Sequence, residues 1–187
     1  MASGKQTDWF GAYIIGLATA VGGGTLRDLL IGVTPFWIEE PMYFITTGVA
    51  LLSALILKNK VFLFGKTLFL FDAIGLGLFT VVGISKCLDA GFPFWSCIIM
   101  GTITGTVGGV LRDVLLNEVP LLLRKDIYAL ASITGGIVYL VLYKLDVSSG
   151  LTEIFAALTV IFVRVIAIKF KIHLPTLNAI EDNKTKY

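Results

Sequence analysis

Six long apolar runs separated by short polar stretches divide the chain, at residues 9–32, 42–57, 67–85, 94–116, 127–143 and 152–168. None alternates apolar and polar residues at every second position, as the strand of a membrane barrel does. Most approach or exceed the ~20 residues that carry a helix across the hydrocarbon, and flanking residues extend the shorter ones. In lipid a spanning segment must pair its own backbone polar groups, which a helix does. The pattern predicts an all-α membrane protein, a transmembrane helical bundle with six visible spans. The first eight residues lack the succession of basic, apolar and cleavage-site residues that marks a signal peptide. Residues 169–187 form a mixed-charge tail predicted to be partly disordered.

The polar positions inside these runs are organised by a repeat. Gly22-Gly23-Gly24-Thr25-Leu26-Arg27-Asp28 returns 85 positions later as Val107-Gly108-Gly109-Val110-Leu111-Arg112-Asp113. Laid together without a gap, residues 9–51 and 94–136 share eleven identities, among them Ile14, Gly16, Thr19, Pro35 and Tyr43. Composition alone would give about three, so one unit has been duplicated. The second copy, 67–143, holds three helices and the first, 9–57, only two; the first helix of the first unit is apparently missing. Three is odd, so successive units should enter the membrane in opposite directions, an inverted repeat. The run at 152–168 lies outside the repeat, and residues 1–187 read as a single transmembrane domain.

Composition and charge sharpen this picture. Hydrophobic residues make up 56% of the chain and charged ones 15%, with a mean hydropathy of +0.89; a soluble domain carries about 25% charged residues. A net charge of +2, with no basic patch interleaved with aromatics, argues against nucleic acid as a partner. Counting connections alternately, one side receives ten Lys and Arg and the other only Lys86 and Lys144. That asymmetry places both termini in the cytoplasm. Cys87 and Cys97 have no metal-like spacing and read as packing residues, and His173 stands alone in the tail. No nucleophile–base pair, metal-ligand cluster or phosphate loop is present, so neither an enzyme nor a cofactor is expected.

Candidate chemistry therefore sits in the repeated stretch. Successive glycines weaken a helix by about 1 kcal/mol each relative to alanine. Gly22, Gly23, Gly24, Gly108 and Gly109 could unwind a turn and free carbonyls toward a solute path, or serve close helix packing. The duplication beside Arg-Asp pairs favours the first. Neighbours on a helix diverge by about 100°, so cross-repeat ion pairs are expected, Arg27 with Asp113 and Arg112 with Asp28. These would lock the repeats together or tune the field of a wet path. Thr19, Thr102, Thr104 and Thr106 offer hydroxyls to an ion, or bond their own i−4 carbonyls. Asp72 draws a cation to a pore mouth or caps a helix start. Arg164 needs a partner, Asp72 or a lipid headgroup, and Pro35 and Pro120 are expected to terminate helices.

Together with Phe71-Asp72-Ala73-Ile74-Gly75-Leu76, the two glycine-rich stretches resemble the prokaryotic members of the trimeric intracellular cation channel family. Bacterial relatives with similar repeats have also been described as small-amino-acid (glycine) transporters. The resemblance covers about residues 9–145. It implies a homotrimer in the lipid bilayer of a prokaryotic plasma membrane, with one pore per subunit. It also implies seven helices, as two inverted triplets plus one, and potassium conduction through kinked helices corresponding to 9–32 and 94–116. The family's first helix has no counterpart among these residues.

The leading expectation is a monovalent cation channel whose transported ion is potassium or sodium, with no metal cofactor. Its pathway would run beside Gly22, Gly23, Gly24, Thr19, Asp72, Thr104, Gly108 and Gly109, with Arg27, Asp28, Arg112 and Asp113 as structural ion pairs. The alternative is a secondary transporter of glycine or a similar small amino acid, its carboxylate held at half-helix N-termini. A third reading is a non-conducting membrane scaffold.

Overall fold

The computed structural model describes residues 8–61, 65–124 and 127–172; His173 and the tail beyond it lie outside the described residues. Helices α1 (Trp9–Ile31), α2 (Phe36–Glu39), α3 (Met42–Val61), α4 (Gly65–Asp89), α5 (Phe94–Leu115), α6 (Ala129–Lys144) and α7 (Ser149–Lys169) follow one another, with a 3-10 turn at Leu121–Leu123. The long helices fall on the six apolar runs. Four of them hold at least 21 residues that are long and apolar enough to cross a membrane, while Met42–Leu57 and Ala129–Lys144 are shorter apolar stretches. No strand occurs among the described residues.

Local chemistry fixes the ends of the repeated helices. Asp8 caps α1, its carboxylate accepting the Gly11 N–H at 2.7 Å. At the other end Gly32 takes the left-handed conformation (φ 86°), and the N–H of Val33 reaches back to the Asp28 carbonyl at 2.9 Å. The second copy closes identically: Asn117 is left-handed (φ 52°) and the Glu118 N–H bonds the Asp113 carbonyl at 2.8 Å. Asparagine is the side chain that best replaces glycine in this cap. The prolines therefore do not terminate the helices. Pro35 and Pro120 each stand one residue before the next short turn, α2 or Leu121–Leu123.

α5 lies at the centre, against α1, α4 and α6; α7 closes over α4 and α6, and α3 leans chiefly on α1. Without a hydrophobic drive between helices in lipid, close approach supplies the packing energy. Between α4 and α5 a Cβ on Gly101 would stand 2.6 Å from the Thr80 carbonyl, and one on Gly105 3.0 Å from that of Leu76. Cys87 and Cys97 are fully buried free thiols in the same core as Val81, Ile84, Tyr139 and Ala156, which is the packing role expected of them.

Candidate functional site

The repeats meet where α1 crosses α5. A Cβ on Gly23 would collide with the carbonyl oxygen of Thr104, and a Cβ on Gly108 with that of Thr19. The contact is reciprocal, residue for residue across the 85-position offset, as a two-fold axis between the halves requires. Numbers rise along α1 as they fall along α5, so the two helices are antiparallel and the repeat is inverted.

This crossing corrects the broken-helix expectation. Both helices run uninterrupted through Gly22–Gly24 and Gly108–Gly109. The glycines serve approach, not unwinding. Gly22 faces the Leu111 side chain, Gly24 the Phe36 ring, and Gly109 the Tyr128 hydroxyl at 3.1 Å. The threonines likewise bond back on their own helices. Thr19 donates to the Ile15 carbonyl (2.6 Å), Thr102 to Ile98 (2.9 Å), Thr104 to Met100 (2.7 Å) and Thr106 to Thr102 (2.7 Å).

The expected cross-repeat ion pairs are also replaced. Arg27 Nε donates to Asp28 Oδ1 at 2.8 Å, and Arg112 Nε to Asp113 Oδ1 at 2.9 Å. The antiparallel crossing is the reason. Extending the 19–108 and 23–104 pairing puts residue 15 level with Arg112, twelve residues and about 18 Å from Arg27 at 1.5 Å per residue. Inversion sends the two motifs to opposite ends of the crossing. Each carboxylate then uses its second oxygen on the chain that follows. Asp28 Oδ2 accepts the Phe36 N–H and Asp113 Oδ2 the Leu121 N–H, both at 2.9 Å and both eight residues on.

α4 supplies the third member of each cluster and makes them unlike. Lys86 donates to Asp28 Oδ1 at 2.9 Å, whereas Asp72 accepts from Arg112 Nη1 at 3.1 Å and lies 3.4 Å from the Tyr128 hydroxyl. Asp72 sits two turns inside α4, which starts at Gly65, so it is not a helix cap. Arg164, fully buried, bonds the Ile127 carbonyl at 3.1 Å and stacks on the Tyr128 ring at 4.7 Å. Its Nη2 stands 3.9 Å from Asp72 Oδ2, so Asp72 is the partner it needed. The sequence reading missed Tyr128, Phe79 and Lys86 as site residues. Tyr128 is the repeat mate of Tyr43, 85 positions on.

Because Arg164 Nε and Nη2 are buried without a hydrogen bond, its charge does little for the fold. Removing one partner of a buried ion pair is costly when the other is left without a counter-ion, but Asp72 keeps Arg112 at 3.1 Å. Arg164→Met is expected to stay within about 1 kcal/mol of the parent stability. Thermal unfolding in detergent would check this, and a loss above twice that figure would show that the ion pair holds the bundle.

Three cavities line the polar side of the crossing. One of about 460 Å³ touches Thr19, Gly23, Gly24, Arg27, Phe79, Lys86 and Thr104. A second, about 240 Å³, is bounded by Thr19, Asp72, Phe79, Gly108, Gly109 and Arg112. A third, about 350 Å³, opens between Asp72, Arg112, Asp113, Glu118 and Arg124. Thr19 and Phe79 are shared by the first pair, Asp72 and Arg112 by the second. Among the eight expected pathway residues, all but Gly22 border one of the first two cavities. No metal-ligating cluster occurs among the described residues.

An inverted duplication of membrane-spanning helices, crossing on glycine and flanked by cavities that charged side chains border, defines an integral membrane protein of the small helical channel and transporter class. The family described as Glycine transporter matches residues 1–59 and 69–144, and the chain belongs to it. The inner membrane protein YadS of Escherichia coli (strain K12) is 34% identical over 98% of this chain and 89% of its own length. The membrane protein YvgT of Bacillus subtilis (strain 168) is 38% identical over 98% and 90%. Among solved structures, one of a TRIC cation channel superposes with a TM-score of 0.84 at 34% identity, covering 92% of this chain and 86% of that one. The TRIC trimeric intracellular cation channel orthologue from Rhodobacter sphaeroides gives 0.76 at 30% identity, over 87% and 95%. The resemblance to the channel family is confirmed, and the helical bundle is the fold those structures share.

Proposed function

We propose that the chain is one subunit of a homotrimeric monovalent cation channel, with potassium as its principal ion, in a prokaryotic plasma membrane. Both termini lie in the cytoplasm, on the basic side. The observation that carries this reading is the series of three cavities passing from Lys86 to Asp72 along one face of the α1–α5 crossing. The structural similarity to TRIC channels, extending over nine-tenths of the chain, supports it. Ions would pass along this face, with Thr19 and Phe79 at the inner narrowing and Asp72 supplying negative charge at one mouth. Hydroxyl oxygens that donate to their own helix still carry lone pairs for a passing cation.

Asp72→Asn is expected to lower single-channel potassium conductance in planar bilayers by about tenfold at low salt. The deficit should shrink at 1 M salt, where fixed charges are screened within about 3 Å. Unchanged conductance in dilute salt would move the pathway elsewhere. A second reading, a secondary transporter of glycine or a similar small amino acid, is favoured by the family's description and by helices that stay unbroken beside the cavities. Saturable glycine uptake into liposomes with no discrete potassium currents would establish it.

A further inference from the structure

The two ionic clusters differ in net charge. Asp72 and Asp113 face Arg112 and Arg164, which balances. Asp28 alone faces both Arg27 and Lys86, leaving one positive charge over. That excess borders the cavity of about 460 Å³, and no acidic residue lines it. Arg27 is 4% exposed, yet only its Nε is hydrogen-bonded. Nη1 and Nη2 make no hydrogen bond among the described residues, and the guanidinium carbon lies 5.6 Å from the Phe36 ring centre. Lys86 uses one of its three ammonium protons, on Asp28. A buried cation with idle donors is costly unless an acceptor reaches it.

We propose that this cavity is a binding site for a small carboxylate. A planar carboxylate matches the paired Nη donors of a guanidinium, which a spherical halide does not, and Lys86 supplies the second contact. Thr19, Thr104, Gly23 and Gly24 share the rest of the wall with the largely apolar Ala20, Phe36, Tyr43, Phe79 and Val82. The site rests on the second reading, a transporter of a small amino acid whose carboxylate it would hold, and not on cation passage. Its test reads binding and not current, so either can fail alone.

The experiment is calorimetric titration of sodium acetate into the full chain, in nanodiscs of zwitterionic lipid and chloride-free buffer. Saturable binding is expected, weakened at least tenfold in Lys86→Gln and restored in Lys86→Arg. Lys86→Gln should fold, because Asp28 keeps Arg27 and the Phe36 N–H. Methylammonium should give no saturable heat. Absence of acetate binding, or binding equal in Lys86→Gln, would overturn the site. So would displacement by equimolar chloride, which makes it a halide site. Displacement by phosphatidylglycerol added to the disc would assign the site to a lipid headgroup and equally overturn the proposal.

Discussion

Asp28→Ala should destabilise the folded protein by about 3–5 kcal/mol, the cost of stranding a buried charge, whereas its repeat mate Asp113→Ala should lose about 1–2 kcal/mol. The residues are equivalent in sequence and in local geometry, each binding the preceding arginine and the N–H eight positions on. What differs is what remains when the carboxylate is gone. Without Asp28 the Arg27 side chain, 5% exposed, has no anion, and Lys86 adds repulsion. Without Asp113 the Arg112 side chain, 29% exposed, still holds Asp72 and reaches solvent. Both variants also lose a cap on the turn that follows the helix, which sets the smaller figure. Denaturant titration of the purified protein in micelles would measure the difference. Equal losses would mean that the cap dominates and that the net charge of each cluster is irrelevant to the fold.

The glycine crossing carries the other large effect. Gly23→Ala and Gly108→Ala each set a methyl against a backbone carbonyl, which cannot rotate aside as a side chain would. Overpacking costs of about 1–3 kcal/mol are usual, and each of these substitutions should lie at the upper end. Gly22→Ala, whose methyl would meet only the flexible Leu111 side chain, should fall near the lower end. The double variant at 23 and 108 should cost less than the two singles together, since the first methyl already spreads the helices for the second. Additivity in the same unfolding assay would show that the two contacts yield independently and that the crossing does not move as a rigid pair.

Much of this architecture could be read from the chain. The six apolar runs located the helices, and the 85-residue offset marked Thr19, Gly23 and Gly108 as equivalent positions without showing that the two copies touch there. The offset carries two further signals. Tyr43 and Tyr128 marked a repeat position whose second member reaches Asp72. An inverted repeat also implies that Arg27 and Arg112 lie at opposite ends, which excludes pairing across it. The bond from each arginine to its own neighbour has a different origin. Placing Arg and Asp 100° apart on a cylinder considers their Cβ atoms, but the arginine chain is long enough for its Nε to turn back onto the next carboxylate. The helices stay whole because glycine's low propensity is small beside the packing that holds α1 and α5 in place. Of the partners on α4, Asp72 was legible as a lone carboxylate in an apolar run, with Arg164 in need of an anion, whereas Lys86, at the helix end and outside the stretch where the copies match, was not.

α4 carries that acidic residue and that basic residue fourteen positions apart, about 21 Å along the helix. Each meets one of two otherwise matching motifs. The duplicated helices thus form a frame indifferent to direction, and a helix present once among these residues makes one end of the frame net positive and leaves the other balanced. Substitutions on α4 could reverse or erase that polarity without touching a single contact of the two-fold crossing. Evolution of a preferred direction, or of a preferred ion, needs only one helix to change.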